Sequence, residues 1–549
     1  MGKSIDRKLS VGLDDAQVVI TIHTWRFDLC EAIYRRVVYA KAEYYPALLT
    51  PEVTKYPLNG DPPTGFNTVL PFPEKKDAIK KTSSGKLQQL AAHKFPHKPY
   101  SKSNEFKSKP DSSEQASPSF SVAVYTDHPT CSDIGRAMLL QGGNSMDAAI
   151  ASFLCLSAAL PHRGGLGGGL MATMYRKSQC NTLNARAAAV PSSLNGLYRA
   201  FEKYASRKLS WRQLVNPTIQ LCVRGVTVSE QLAADLQEFK SLVLNNPRMR
   251  FAFFFAFVAL LCLKCGTHRS QFVNGTTGVL LAKSEKMFCP ALADFLQELA
   301  DADNPVDYFY RGQGSTKLLK SMHEKDGFIT VEDMEDCESE VQPAVKMFLA
   351  GHTLCGPPPP SIYSVVQLAV AAMTVFDETI SKDARELAGK DVVQHTLQRF
   401  RSRYGPEIEY ESTEQGSFSV LVLDEMGDAA AMTSSLGEKF GNRELTEFGF
   451  FMNNAMGSFA YGTQRGSPQS RNAPLPAKCP VTQMSPVIGI KDDQVAFLTG
   501  GTDYLGITAS VFQALTSRQG SDFEGTPLLS RRTNGLTLLN RDKLLLVGY

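Results

Sequence analysis

No stretch of this chain is apolar for long enough to cross a membrane as a helix. The longest such run, residues 251–263, falls short of the roughly 20 residues a bilayer-spanning helix needs. It reads as a buried helix, a strand pair, or a segment foreign to the fold. The opening residues lack the charged-then-apolar pattern of a secretory leader, because Asp14, Asp15, Arg26, Asp28 and Glu31 interrupt residues 11–40. No sign of charge dominates. Lys and Arg number 58 against 55 Asp and Glu, a net +3, which gives no electrostatic case for a nucleic-acid partner. Metal motifs are absent as well. The 11 cysteines are scattered, and the close pair Cys262 and Cys265 has no second pair or nearby histidines, so neither metal nor cofactor is expected. The odd count leaves at least one thiol unpaired within a monomer and leaves the redox compartment open. There is no internal repeat.

What is present is an ordinary globular composition, 43% hydrophobic and 21% charged, in 549 residues. That length exceeds one simple core. Residues 1–118 form an N-terminal extension whose part over 74–118 is a Lys/Ser/Pro-rich linker, too polar to bury much surface. Order begins near Phe120. Residues 121–125 and 170–175 read as buried strands, and 131–141 has helical spacing. Residues 148–160 are almost wholly apolar, as expected of a helix buried on all sides. Residues 196–345 are mainly helical, and Thr330 with Asp333 forms a capping-box signal. The prolines of Gly356-Pro-Pro-Pro-Pro-Ser361 force an extended path before an apolar helix over 365–376. From Ser417 the pattern changes to short strands at 418–423, 429–433 and 495–498. Helices followed by a strand-rich second half imply a layered α+β, αββα architecture.

Four stretches, in order, carry a resemblance. The first runs from Cys131-Ser-Asp-Ile-Gly-Arg136 through Gly142-Gly-Asn-Ser-Met-Asp-Ala-Ala-Ile150 to Pro161-His-Arg-Gly-Gly-Leu-Gly-Gly-Gly169. The second is Asn184-Ala-Arg186, and the third is the proline run. The fourth spans Gly416, Thr433-Ser-Ser435, Phe440-Gly441, Met452-Asn-Asn454 and Met484-Ser-Pro486. Together they resemble the gamma-glutamyltransferase (glutathione hydrolase) family. The resemblance implies an N-terminal-nucleophile hydrolase fold, with 119–416 as the large-subunit-like region and 417–549 as the small-subunit-like region. It also implies a precursor that cuts itself before a threonine and becomes a heterodimer. The freed residue then attacks the gamma-glutamyl amide of glutathione or a related small molecule. A hydroxyl is a weak nucleophile without a base beside it. The new α-amine, with an unperturbed pKa of about 8, can be that base.

Carried over by position, Ser417 stands where the family has its threonine nucleophile. Serine keeps the hydroxyl but loses the methyl that helps fix χ1. Thr413 is nearby but out of register. Ser435 matches a threonine that positions the nucleophile's amine. Arg186 matches the arginine that holds the glutamyl carboxylate, and the family's following glutamate is Ala187 here. Thr482 and Gln483 replace a pair of carboxylate-binding serines. Gly437 replaces a substrate-binding asparagine, and Ala455 and Ser458 replace the two acids that receive the α-ammonium. Tyr504, with Asp503, aligns with the oxyanion glycines, while a true pair, Gly500-Gly501, lies just upstream. Losing both acids costs about 1.5–3 kcal/mol per contact, weakening ordinary glutathione binding roughly 100-fold or more. Two functions follow. One is a self-cleaving enzyme that uses Ser417. The other is an uncleaved, inactive relative that serves as a binding or regulatory protein. The resemblance implies a plasma-membrane or extracellular location, although no anchor or leader is visible. Asn274-Gly-Thr276 is a glycosylation sequon that would fit secretion.

Overall fold

The computed structural model describes residues 8–13, 16–21, 122–186, 188–250, 271–274, 277–325, 327–375, 414–459, 472–476, 478–516 and 537–540. Outside these lie the linker over 74–118, Ala187, residues 251–263, Cys262, Cys265, Thr413, most of the sequon, and the chain's last stretch. The chain divides into two compact units, Met1–Ala116 and Ser117–Tyr549. In the first, β1 (Lys8–Leu13) and β2 (Ala16–Thr21) form an antiparallel hairpin.

The second unit starts with β3 (Ala123–Thr126), α1 (Pro129–Leu140) and α2 (Ser145–Ala159). Asn144 caps α2 by accepting from the Met146 and Asp147 N–H groups, and the Asp147 carboxylate returns the bond to the Asn144 N–H. Every residue of α2 is buried, as its unbroken apolar sequence requires. β4 (Gly169–Arg176) and β5 (Gln179–Ala185) follow, then α3 (Ser193–Tyr204), α4 (Trp211–Arg224), α5 (Glu230–Glu238) and α6 (Pro290–Asp301). The Thr330–Asp333 capping box opens a short helix, as its sequence predicts. Next come β6 (Glu340–Pro343), β7 (Val345–Leu349), β8 (His352–Gly356) and α7 (Tyr363–Val375). The last described elements are β9 (Gly416–Leu423), β10 (Ala429–Gly437), β11 (Val487–Lys491), β12 (Gln494–Gly500), α8 (Tyr504–Thr516) and β13 (Thr537–Asn540).

Two antiparallel sheets result. One has the strand order β3-β9-β10-β4-β5-β6 and the other β13-β12-β11-β8-β7. The alternation of side chains along β9 sorts them into layers. Phe418, Val420 and Val422 join the core under α2, while Leu421 and Leu423 join Ile488, Ile490, Val495 and Leu498 between the sheets. On the far side, Val487 and Phe497 pack with Val366 and Val370 of α7 and Ile507 and Val511 of α8. The layers therefore run helix, sheet, sheet, helix, the αββα arrangement expected from the sequence. Disulfides join Cys131 to Cys155 and Cys180 to Cys355. The first ties α1 to α2, and the second ties the two sheets together through β5 and β8.

Candidate active site

β9 and β10 set the site. Ser417 pairs with Ser435 across the two strands, and the register slips between Gly416 and Ser417. That bulge leaves the Gly416–Ser417 peptide unit out of the regular ladder at the strand's start. Ser435 Oγ donates to the Gly416 carbonyl oxygen at 2.9 Å and accepts from the Gly437 N–H at 2.8 Å. Ser417 is 1% exposed, and its Oγ lies 2.8 Å from Thr502 Oγ1. Thr502 Oγ1 also donates to the Glu414 carbonyl at 2.8 Å. A threonine hydroxyl has one proton, and here it is committed to Glu414. Ser417 is therefore the donor to Thr502.

The glycine-rich segment packs against this center through close backbone contacts. A Cβ at Gly167 would overlap the Phe451 carbonyl oxygen, and one at Gly168 would overlap that of Ser435. Only glycine permits both approaches. Ser434 Oγ accepts from the Gly165 N–H and donates to the Gly169 carbonyl, each at 2.9 Å, which ties the segment to β10.

The carboxylate-binding candidates converge from three elements. Arg186 follows directly on β5, is 7% exposed, and donates from Nη2 to the Pro480 carbonyl at 2.8 Å. Its Nη1 has no hydrogen-bond partner. Burial lowers the guanidinium pKa, and the charges of Cys479 and Glu414 pull the other way. The proline run positions Thr482 and Gln483. Thr482 N–H donates to the Pro360 carbonyl, the Ile362 N–H donates to the Thr482 carbonyl, and Ser361 Oγ donates to the Met484 carbonyl at 2.7 Å. Thr482 Oγ1 and the Gln483 N–H both hold the carboxylate of Glu414. Burial pushes the Glu414 carboxyl pKa up, against the opposing effects of Arg186, Thr482 and Gln483.

The positions of the missing acids lie on a short 3₁₀ turn, Ala455–Ser458. Asn453 anchors it to the carbonyls of Gly167 and Ala189, and Asn454 Oδ1 accepts from the Glu438 N–H. Gly437 is no free substitute for an asparagine. Its φ of +87° disfavors side chains, and a Cβ there would overlap Asn454 Oδ1. The Gly500-Gly501 pair does not present a free oxyanion donor at Gly501, whose N–H donates to Thr433 Oγ1 at 3.1 Å. Tyr504 is the first residue of α8, so the aligned Asp503-Tyr504 position falls at a helix N-terminus, where backbone dipoles favor negative charge.

Sequence reasoning missed two residues of this constellation. Thr502 was legible only as the residue after a glycine pair. Glu414 lay in a polar stretch that carried no motif.

A buried charge cluster lies beside β10, where the Leu436 N–H donates to the Arg163 carbonyl and the Phe440 N–H to the His162 carbonyl. His162 Nε2 and Arg163 Nη2 lie 2.8 and 2.7 Å from Asp235 Oδ2, and Lys439 Nζ lies 2.8 Å from Asp235 Oδ1. Burial lowers the His162 pKa to about 4, leaving it neutral at pH 7. Burial opposes ionization of Asp235, but the bonds and charges of His162, Arg163 and Lys439 outweigh it and hold the carboxyl well below the usual range.

Comparison with known proteins agrees with this architecture. The family model for gamma-glutamyltranspeptidase matches residues 131–189, 173–405 and 390–520. Scoloptoxin SSD14 of Scolopendra dehaani is 25% identical over 490 residues, covering 74% of this chain and 80% of the relative. Glutathione hydrolase 3 of Arabidopsis thaliana is 24% identical over 462 residues, covering 71% and 69%. Glutathione hydrolase 5 proenzyme of Rattus norvegicus is 25% identical over 484 residues, covering 74% and 80%. Among solved structures, the cephalosporin acylase from Bacillus halodurans superposes with a TM-score of 0.56 at 19% identity, covering 74% of this chain and 83% of that one. The matched stretches take in β9, β10, the glycine-rich segment and the proline run, and the chain belongs to the gamma-glutamyltranspeptidase family.

Proposed function

We propose that this chain is a self-processing amidohydrolase of the gamma-glutamyltransferase type with Ser417 as its nucleophile. The observation that carries the reading is the Ser435 hydroxyl on the Gly416 carbonyl, beside the bulge that frees the Gly416–Ser417 peptide. In the first step Ser417 Oγ attacks the Gly416 carbonyl carbon. Ser435 stabilizes the developing oxyanion, as a preorganized donor should. The C–N bond breaks, the Ser417 hydroxyl proton passes to the departing nitrogen, an ester forms between Gly416 and Ser417 Oγ, and the Ser417 amine is released. Water then hydrolyzes the ester and leaves a carboxylate on Gly416. In the mature form the free amine takes the Ser417 hydroxyl proton while Oγ attacks the amide of a gamma-glutamyl compound. Arg186, Thr482 and Gln483 hold the acyl group's carboxylate, and Tyr504, at the start of α8, is assigned to the oxyanion by its aligned position. The two chain segments stay together as a heterodimer. The two disulfides fit an oxidizing, extracellular setting.

The test is a denaturing gel of the purified full chain over a long incubation. Two bands that disappear in Ser417→Ala are expected. A single full-length band would refute self-processing and favor an uncleaved binding protein.

A further inference from the structure

Glu414, just ahead of the cleavage point, occupies the carboxylate pocket of the uncleaved chain. Its carboxylate accepts from Thr482 Oγ1 at 2.8 and 3.1 Å and from the Gln483 N–H at 2.8 Å. Its backbone carbonyl accepts from Thr502 Oγ1, the same hydroxyl that takes the Ser417 hydrogen bond. One residue thus spans the gap between the nucleophile's neighbor and the pocket. From carbonyl to carboxylate its carbon skeleton is that of a glutaryl group. In this pose the carbon next to the pocket carboxylate is a plain methylene. In a gamma-glutamyl amide that carbon carries an ammonium.

The surroundings favor the methylene. Among the described residues, the hydrogen-bond partners of the Glu414 carboxylate are an N–H and a hydroxyl, and the nearby Arg186 is a cation with Nη1 unpartnered. No Asp or Glu occurs anywhere from 448 to 491, the stretch that contains Ala455, Ser458, Thr482 and Gln483. Glu438, at the end of β10, is half exposed and 4.0 Å from Arg443. The buried Gln483 Oε1 lacks a partner but is neutral. An ammonium placed beside the pocket carboxylate would lie near the cationic Arg186, with no acid on the 448–491 stretch to balance it.

We infer that the site prefers the monoamide of a dicarboxylic acid without an α-ammonium, a glutaryl amide, over a gamma-glutamyl amide. This rests on Ser417 as nucleophile. Ser417 Oγ would attack the glutaryl amide carbon, and its proton would pass through the α-amine to the departing amine. Water would then cleave the glutaryl ester and release glutarate.

Two measurements test it. In the first, the self-cleaved chain is given N-glutaryl-p-nitroanilide and L-gamma-glutamyl-p-nitroanilide. A kcat/KM ratio of about tenfold or more in favor of glutaryl is expected, the size of one lost charge-assisted contact. Equal or better use of the gamma-glutamyl anilide would overturn the preference and leave the proposed function standing. In the second, glutarate and L-glutamate are titrated calorimetrically into the full chain carrying Glu414→Ala, which removes the resident carboxylate from the pocket. Glutarate should bind about tenfold or more tightly. L-glutamate binding equally or better, or neither ligand binding, would overturn the inference. If that variant does not fold, the same titration is run on the self-cleaved wild type and read the same way. Hydrolysis of neither anilide, with glutarate still preferred in binding, would instead overturn the hydrolytic reading of Ser417.

Discussion

Replacing Ser435 by alanine tests the cleavage geometry at its center. The substitution removes the donor that sits 2.9 Å from the Gly416 carbonyl oxygen. A preorganized oxyanion donor of this kind is worth roughly 10²–10³ in rate, about 2.7–4 kcal/mol. The same change leaves the Gly437 N–H without its acceptor, which costs about 1–3 kcal/mol of stability. The two effects are separable because one is a rate and the other an equilibrium. Self-cleavage half-times are read from gel densitometry, and stability from denaturant melts of the uncleaved chain. Ser435→Ala should slow cleavage roughly 100-fold or more while remaining folded. Ser435→Thr keeps the hydroxyl and should cleave within a few-fold of wild type. Wild-type cleavage by Ser435→Ala would refute the role given to this hydroxyl. Equal slowing by both variants would show that packing around β10, not the donor, governs the rate.

Other perturbations follow from the same contacts. Asp235→Asn should destabilize the fold by about 3–5 kcal/mol in chemical melts, because it leaves Arg163 buried without its counter-charge and Lys439 with Glu238 as its remaining carboxylate partner. Acid should act through the same cluster. The folded pKa of His162, about 4, lies below its ordinary value, and that of Asp235 is also depressed. Each stabilizing contribution is present above the unfolded pKa and is lost as pH falls through the folded one. The melting temperature should therefore fall below about pH 6.5 as His162 takes up its cost, and fall further below about pH 4 as Asp235 follows. Asp235→Asn should flatten the lower part of that profile. Gly167→Ala should destabilize by about 1–3 kcal/mol or block folding, because the new methyl overlaps the Phe451 carbonyl. Reducing the Cys180–Cys355 bridge, which closes a sequence separation of 175, should cost on the order of 4 kcal/mol, read as a lower melting temperature in reductant.

The layers of the fold were legible because periodicity records burial. The apolar run after Asn144 could only be a helix enclosed on all sides, and α2 is one. The pattern in residues 418–423 marked a short strand, and β9 is that strand, with its side chains divided between two cores. The glycine-rich segment announced close backbone approach, and Gly167 and Gly168 meet carbonyl oxygens. Ser417 and Ser435 were each legible only as positions matched to the family, and their pairing across β9 and β10 came from the structure. The rest of the site was not legible. Glu414 enters the pocket by a tertiary turn that no local pattern encodes. Thr502 acquires meaning only when β12 brings it beside β9. The His162–Asp235 cluster joins residues far apart in sequence, and a lone aspartate on an amphipathic helix reads as an ordinary surface residue.

The most direct test of the account is the intact mass of the purified full-length chain after prolonged incubation. The account predicts two masses that sum to the whole plus one water, with the smaller fragment beginning at Ser417. A single mass equal to the full chain, or a cut at any other bond, would contradict it.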